Sequence, residues 1–210
     1  MISRRNLILA SSLGALQFPT WAHAAFQANK EYLVLNPAIP QKGDKIEVIK
    51  FFAYTCPHCM QFEAIFNEWA QKVPADVVVR TCPVAWQPKL RPFTQTYYTL
   101  EALQLLDKLH IPFFESVVYQ THHYDFESAT KDILNFMVEQ GVNAKDWERT
   151  FRSFTVQNKT RQARKLWQQY RIDSTPMVGI AGQYTTGPHL AGTRAKTLQC
   201  VDELIQLVRR

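Results

Sequence analysis

The segment Lys45–Tyr54 (KIEVIKFFAY) constrains the fold of this chain more than any other stretch. It is rich in β-branched and aromatic side chains, which fit a pleated, buried surface, and it predicts a central strand. Thr55-Cys56 breaks the run. Pro57 to Val73 then places Phe62, Ile65, Phe66 and Trp69 at i, i+3, i+4 and i+7, the spacing of one apolar helix face, and Pro74 stops it. Ala75 to Arg80, with three consecutive valines, predicts a second buried strand. Strand, helix and strand in this order imply a crossover, so the two strands are expected to run parallel in an α/β domain.

Glu31 to Leu35 reads as a short edge strand ended by Asn36-Pro37, and Pro40 to Asp44 as a turn. Residues 89–171 carry almost no strand signal. Helices are expected over Tyr97–Leu109, Pro112–Tyr119, Ala129–Gln140 and Ala144–Tyr170, the last broken near Thr155–Asn158, with Gly141 as the cap of the third. Met177 to Ala181 resumes as a strand. Gly182-Gln183 turns a hairpin into Tyr184–Thr186. Thr193 to Val208 closes the chain as a helix with Leu198, Val201, Leu204, Ile205 and Val208 on one face. No internal repeat is visible. The expected layout is an α/β domain formed by residues 25–88 and 172–210, interrupted by a helical insertion over 89–171.

Met1 to Ala24 has the three parts of a secretory signal: Arg4 and Arg5, an apolar Leu7–Leu16, and Ala22-His23-Ala24 as a cleavage site. The mature chain is expected to start at Ala25. Loss of the two signal arginines lowers the formal charge from +6 to +4, with the basic residues scattered, which suggests no nucleic-acid function. Apolar residues at 46% and aromatics at 12% exclude a disordered chain. No apolar run reaches the ~18 residues of a membrane span. Export places the four cysteines in an oxidising compartment, where cysteine pairs form disulfides.

Cys56-Pro57-His58-Cys59 sits where the central strand ends and the helix begins. Cys56 is expected at the N-cap or first position, and Pro57 is favoured at the first helical position. Unpaired N–H groups and the positive end of the helix dipole stabilise a thiolate there, which lowers the Cys56 pKa. A protonated His58 adds a charge or hydrogen bond near the sulfurs. A structural zinc site needs four ligands, but Cys82 and Cys200 are isolated and His122-His123 has no supporting spacing. Covalent haem needs C-x-x-C-H, and Met60 follows Cys59. A purely structural disulfide over a two-residue gap constrains the unfolded chain little. Redox catalysis without metal or cofactor is the best reading. Thr175-Pro176 supplies its second half. In a thioredoxin-type layout the strand after the insert begins with a cis proline that faces the C-x-x-C, and the Thr175 backbone is then open to a bound peptide as an added strand.

The signal segment, Phe51-Phe52-Ala53-Tyr54-Thr55-Cys56-Pro57-His58-Cys59, the helical insert and Thr175-Pro176 with its hairpin together resemble the DsbA family of bacterial periplasmic thiol oxidases, over most of residues 29–208. Thioredoxins typically carry C-G-P-C, and the isomerase relatives C-G-Y-C. The resemblance implies a thioredoxin-like fold with an inserted all-helical domain. It also implies a Cys56–Cys59 disulfide that is unstable relative to its reduced form. A substrate thiolate attacks Cys56, a mixed disulfide forms, and a second substrate thiol displaces Cys56. Implied partners are folding exported proteins with free thiols and a DsbB-like, quinone-linked membrane reoxidant; a monomer is expected.

Two departures stand out. Lys50 occupies a position where family members often place an acid beneath the site; it either snorkels to solvent or points inward and favours the thiolate. Cys82 and Cys200 are extra, and are expected to be free rather than paired. Two other functions remain open. A disulfide isomerase or reductant on the same fold would need reduced cysteines, and an isomerase a dimerisation domain, for which residues 25–45 are too short. A non-catalytic peptide-binding chaperone leaves C-P-H-C unexplained.

Overall fold

The computed structural model describes residues 26–41 and 43–210; the secretory-signal assignment lies outside the described residues. Among the described residues the sheet has five strands: β1 (Tyr32–Val34), β2 (Ile46–Phe52), β3 (Val77–Pro83), β4 (Met177–Ile180) and β5 (Tyr184–Thr186). Their spatial order is β1-β5-β4-β2-β3. The strand–helix–strand expectation holds: β2 and β3 pair in parallel from Ile46↔Val77 to Phe52↔Pro83, joined by α1 (Pro57–Ala70). The other pairs are antiparallel. β3 runs from Val77 to Pro83, later at both ends than the expected Ala75–Arg80, so Cys82 lies in the ladder.

Between β3 and β4 the chain is helical: a short 3₁₀ turn at Pro88–Leu90, then α2 (Arg91–Ala102), α3 (Leu106–Val118), α4 (Ala129–Glu139), α5 (Ala144–Phe151) and α6 (Phe154–Gln169). The expected helix over Tyr97–Leu109 is instead the end of α2 and the start of α3. Gln104 adopts φ +58°, and its N–H and that of Leu105 reach back to Glu101 and Leu100. That is the paired-bond ending normally built on glycine. Gly141, as expected, ends α4 in the same way at φ +82°. Pro112 lies inside α3 rather than starting a helix. The break after α5 falls at Arg152-Ser153, ahead of the expected Thr155–Asn158, because the Ser153 hydroxyl caps α6 by accepting from Val156 N–H.

α7 (Pro188–Ala191) and α8 (Arg194–Val208) complete the chain. α1 and α8 cover one sheet face, burying Val48, Val178 and Ile180 against Phe62, Phe66, Val201 and Leu204. α6 covers the other face, over Ile49, Phe51, Cys82 and Met177. A third cluster fills the helical segment with Phe93, Leu100, Phe113 and Phe114, and it extends to Phe52, Tyr54 and Cys59. The helical segment therefore forms part of the wall behind the C-x-x-C. Among the described residues no helix is long and apolar enough to cross a membrane.

Candidate active site

β2 delivers the chain to the site, and α1 receives it. Cys56 is the N-cap of α1, with extended backbone (φ −108°, ψ 107°), and Pro57 takes the first helical turn. The cap atom is sulfur: Cys56 Sγ accepts the Cys59 N–H at 3.3 Å. Cys56 is half-buried and Cys59 is 1% exposed, while Pro57 and His58 are exposed. The two sulfurs therefore differ in environment although three residues separate them. Cys56 is lowered to about 6. The leading cause is a hydrogen bond from the Cys59 side chain, opposed by burial and reinforced by the Thr175 side chain and the backbone amides of Cys59 and His58. Cys59 is pushed far up, first by burial and then by the hydrogen bond and charge of Cys56. His58 thus acts on the sulfur through its amide; its ring makes no side-chain hydrogen bond among the described residues.

Thr175-Pro176 faces this pair. Its peptide bond is cis, as the sequence predicts, and the Thr175 carbonyl lies 3.4 Å from Cys56 Sγ as acceptor. Asn36-Pro37 is also cis, which the sequence reading missed. Gly187 closes in from behind: a Cβ there would stand 2.8 Å from the Pro176 carbonyl oxygen.

Lys50 does not snorkel. It is 2% exposed, and Nζ lies 2.5 Å from Glu63 Oε2 on α1 and 4.9 Å from the Phe66 ring centroid. β2 is flanked by β3 and β4 and covered by helices, so the amine has no path to water. Glu63 Oε1 is 3.6 Å from His110 Nε2, and His110 Nδ1 is 2.7 Å from the Tyr54 hydroxyl. Burial pushes the Glu63 carboxyl up, but the facing His110 ring and the Lys50 ammonium outweigh it and hold Glu63 below its ordinary value. Burial lowers Lys50, partly offset by Glu63. Sequence reading missed Glu63, His110 and Tyr54. The available signal was an acid one turn beyond Cys59, between Phe62 and Phe66 on a face that is otherwise apolar.

Cys82 and Cys200 are buried and free. They pack on opposite faces of the sheet, which is why they cannot pair. Burial pushes both thiols up, Cys200 to about 11. Among the described residues no three His, Cys, Asp or Glu side chains converge as a metal site needs.

No family model matches the chain. The thiol:disulfide interchange protein DsbA of Bordetella pertussis is 36% identical over 98% of this chain and 97% of its own length. That of Pseudomonas syringae pv. tomato is 34% identical over 98% and 96%. The crystal structure of Pseudomonas aeruginosa DsbA matches with a TM-score of 0.82 at 28% identity, covering 89% of this chain and 96% of that one. With an N-cap cysteine, a buried partner sulfur and a facing cis proline already in place, this likeness over nearly the full length is decisive: the chain belongs to the DsbA family of thiol:disulfide interchange proteins, a thiol:disulfide oxidoreductase on a thioredoxin-like fold with an inserted helical domain.

Proposed function

We propose that the protein works in the oxidising direction, donating a Cys56–Cys59 disulfide to exported proteins as they fold in the periplasm. Cys56 is the attacked sulfur. A substrate thiolate bonds to Cys56 Sγ, the Cys56–Cys59 bond breaks, and Cys59 takes up a proton. A second substrate thiolate then displaces Cys56. Two substrate thiols become one disulfide, and the protein's disulfide becomes a dithiol. Pro57 and His58 set the first turn of α1 and the amides around Cys56. Thr175 and Pro176 hold substrate backbone as an added strand. A DsbB-like, quinone-linked membrane protein reoxidises the dithiol. The protein is exported by cleavage of residues 1–24 and acts as a monomer, with residues 25–88 and 172–210 as the thioredoxin-like domain and 89–171 as the insertion.

The observation that carries this direction is the asymmetry of the two thiols. A Cys56 lowered to about 6 is mostly thiolate at neutral pH, which favours the dithiol state over the disulfide. Each pKa unit of such stabilisation is about 1.4 kcal/mol, or roughly 30 mV for a two-electron couple. Stabilising the reduced form makes an oxidant. Equilibration of the Cys56–Cys59 couple with glutathione tests this. The oxidase reading expects the protein to oxidise reduced glutathione; a couple no more oxidising than glutathione itself would overturn it in favour of a reductant.

A further inference from the structure

We propose a second binding site, one that neither Cys56 nor Cys59 lines, for a carboxylate that carries an apolar group. A pocket of about 390 Å³ opens where the segment after β3 meets α2 and α6, lined by Trp86, Arg91, Thr94, Arg161, Arg164 and Trp167 among others. That volume lies in the range of small-molecule sites. Three features of the pocket point to an occupant of this kind.

The first is charge. No acidic residue lines the pocket, and α6 carries four basic residues and no acidic one. Among the described residues none of the three arginines pairs with a carboxylate. Their recorded partners are neutral: Arg91 donates to the Gln157 side-chain oxygen, and Arg161 lies 6.0 Å from the Phe154 ring centroid. Three guanidiniums line one concavity with no carboxylate among them, and guanidinium matches carboxylate geometry in a bidentate way.

The second is Thr94. It is 4% exposed, and its Oγ1 has no hydrogen-bond partner among the described residues. Its helical neighbours behave otherwise. Thr96, Thr99 and Thr160 each donate to the carbonyl four residues back. A buried hydroxyl left without a partner costs stability, and a ligand oxygen in the pocket would supply the partner. The third is the pair of indoles. Trp86 is 41% exposed yet fixed, since its Nε1–H donates to the Ile172 carbonyl at 3.1 Å. Trp86 and Trp167 offer aromatic surface for the apolar part of the ligand.

The carboxylate could be that of a free organic acid or of a Glu or Asp side chain in a substrate polypeptide. The second source is open to test because Trp86 ties the pocket, through Ile172, to the segment that leads into Thr175-Pro176. The site itself stands on the pocket and not on the oxidase reading. Phenylacetate, titrated into the oxidised full chain, is the probe, with phenylacetamide as the uncharged control. Isotope-edited NMR of the indole N–H groups is the readout. Phenylacetate is expected to shift the Trp86 and Trp167 signals saturably, and the amide is not. Arg161→Gln/Arg164→Gln should weaken binding by about tenfold or more. Thr94→Val should also weaken it while unfolding at no lower temperature than the parent, because no internal hydrogen bond is lost. A second arm compares oxidation of single-cysteine peptides bearing Glu or Gln at graded spacings from the cysteine. A Glu preference that vanishes in the arginine variant assigns the site to substrate; equal rates with phenylacetate still bound assign it to a free acid. Unmoved indole signals, equal shifts with the amide, undiminished binding in the arginine variant or a destabilised Thr94→Val would overturn the proposal.

Discussion

Replacing Lys50 with methionine removes one charge from a buried pair and leaves the other. Met is unbranched and close to Lys in length, so packing against Phe66 is largely kept. What remains is the Glu63 carboxylate, 3% exposed, with Asn67 Nδ2 at 3.4 Å and His110 Nε2 at 3.6 Å as its nearest recorded donors. Breaking a buried pair from one side costs about 3–5 kcal/mol, because an uncompensated charge stays in a low-dielectric site. At about 2–4 °C per kcal/mol for a chain of this size, the unfolding midpoint should fall by roughly 6–20 °C. The double variant Lys50→Met/Glu63→Leu should recover most of that loss, since an apolar pair of similar volume is often neutral or better. The pH dependence has a definite sign. In the parent, Glu63 is held below its ordinary value, so the pair's contribution is present above the unfolded carboxylate pKa and is lost as pH falls through the lower folded value. In Lys50→Met, His110 still lowers Glu63 but the lysine's share is gone, so the Glu63 pKa rises and the variant gains less stability than the parent as pH increases. The gap between parent and variant should therefore be wide at pH ~7 and narrow towards pH ~4. Urea unfolding of the oxidised proteins at both pH values measures it. A gap below about 1 kcal/mol at neutral pH, or single costs that simply add in the double variant, would refute the buried-pair argument. Lys50→Glu is a poorer probe, because it would place a second carboxylate against Glu63.

Other outcomes follow from the same geometry. The ultraviolet absorbance of the Cys56 thiolate should titrate with a midpoint near 6 in the reduced protein. Because that value is depressed, the reduced form should gain stability over the oxidised form as pH rises from about 6 towards the ordinary thiol range; a flat difference would contradict the assignment. His58→Pro, which loses both ring and amide N–H, should raise the midpoint more than His58→Ala, which keeps the amide; equal midpoints for the two variants would remove the amide's role. Cys59→Ala should accumulate mixed disulfides on Cys56, mapped by mass spectrometry after proteolysis, and the converse Cys56→Ala should not trap them on the buried Cys59. Gly179→Ala should destabilise by about 1–3 kcal/mol in chemical unfolding, because its Cβ would overlap the Tyr170 ring and approach Phe51.

The sequence by itself determined the parts that depend on short-range chemistry. The β-branched run Lys45–Tyr54, the apolar face of Pro57–Val73 and the valines before Arg80 specify strand, helix and strand through side-chain period alone, and the parallel pairing follows from their order. Cys56 at the strand–helix junction, with Pro57 after it, fixes an N-cap sulfur without any knowledge of the rest of the chain. What only tertiary structure decided was long-range or against local preference. The α2–α3 break rests on Gln104 and the turn after α6 on Arg171, both at positive φ where glycine is the usual signal, so composition concealed them. Whether Lys50 reaches water depends on what covers β2. Its partner Glu63 and the His110 that faces Glu63 arrive from α1 and α3, elements that no local pattern brings together. The unpartnered Thr94 hydroxyl is likewise invisible in a sequence where Thr96 and Thr99 look the same. A residue's preference is local, but the dielectric around its charge and the partner for its hydroxyl are set by whatever the fold packs against it.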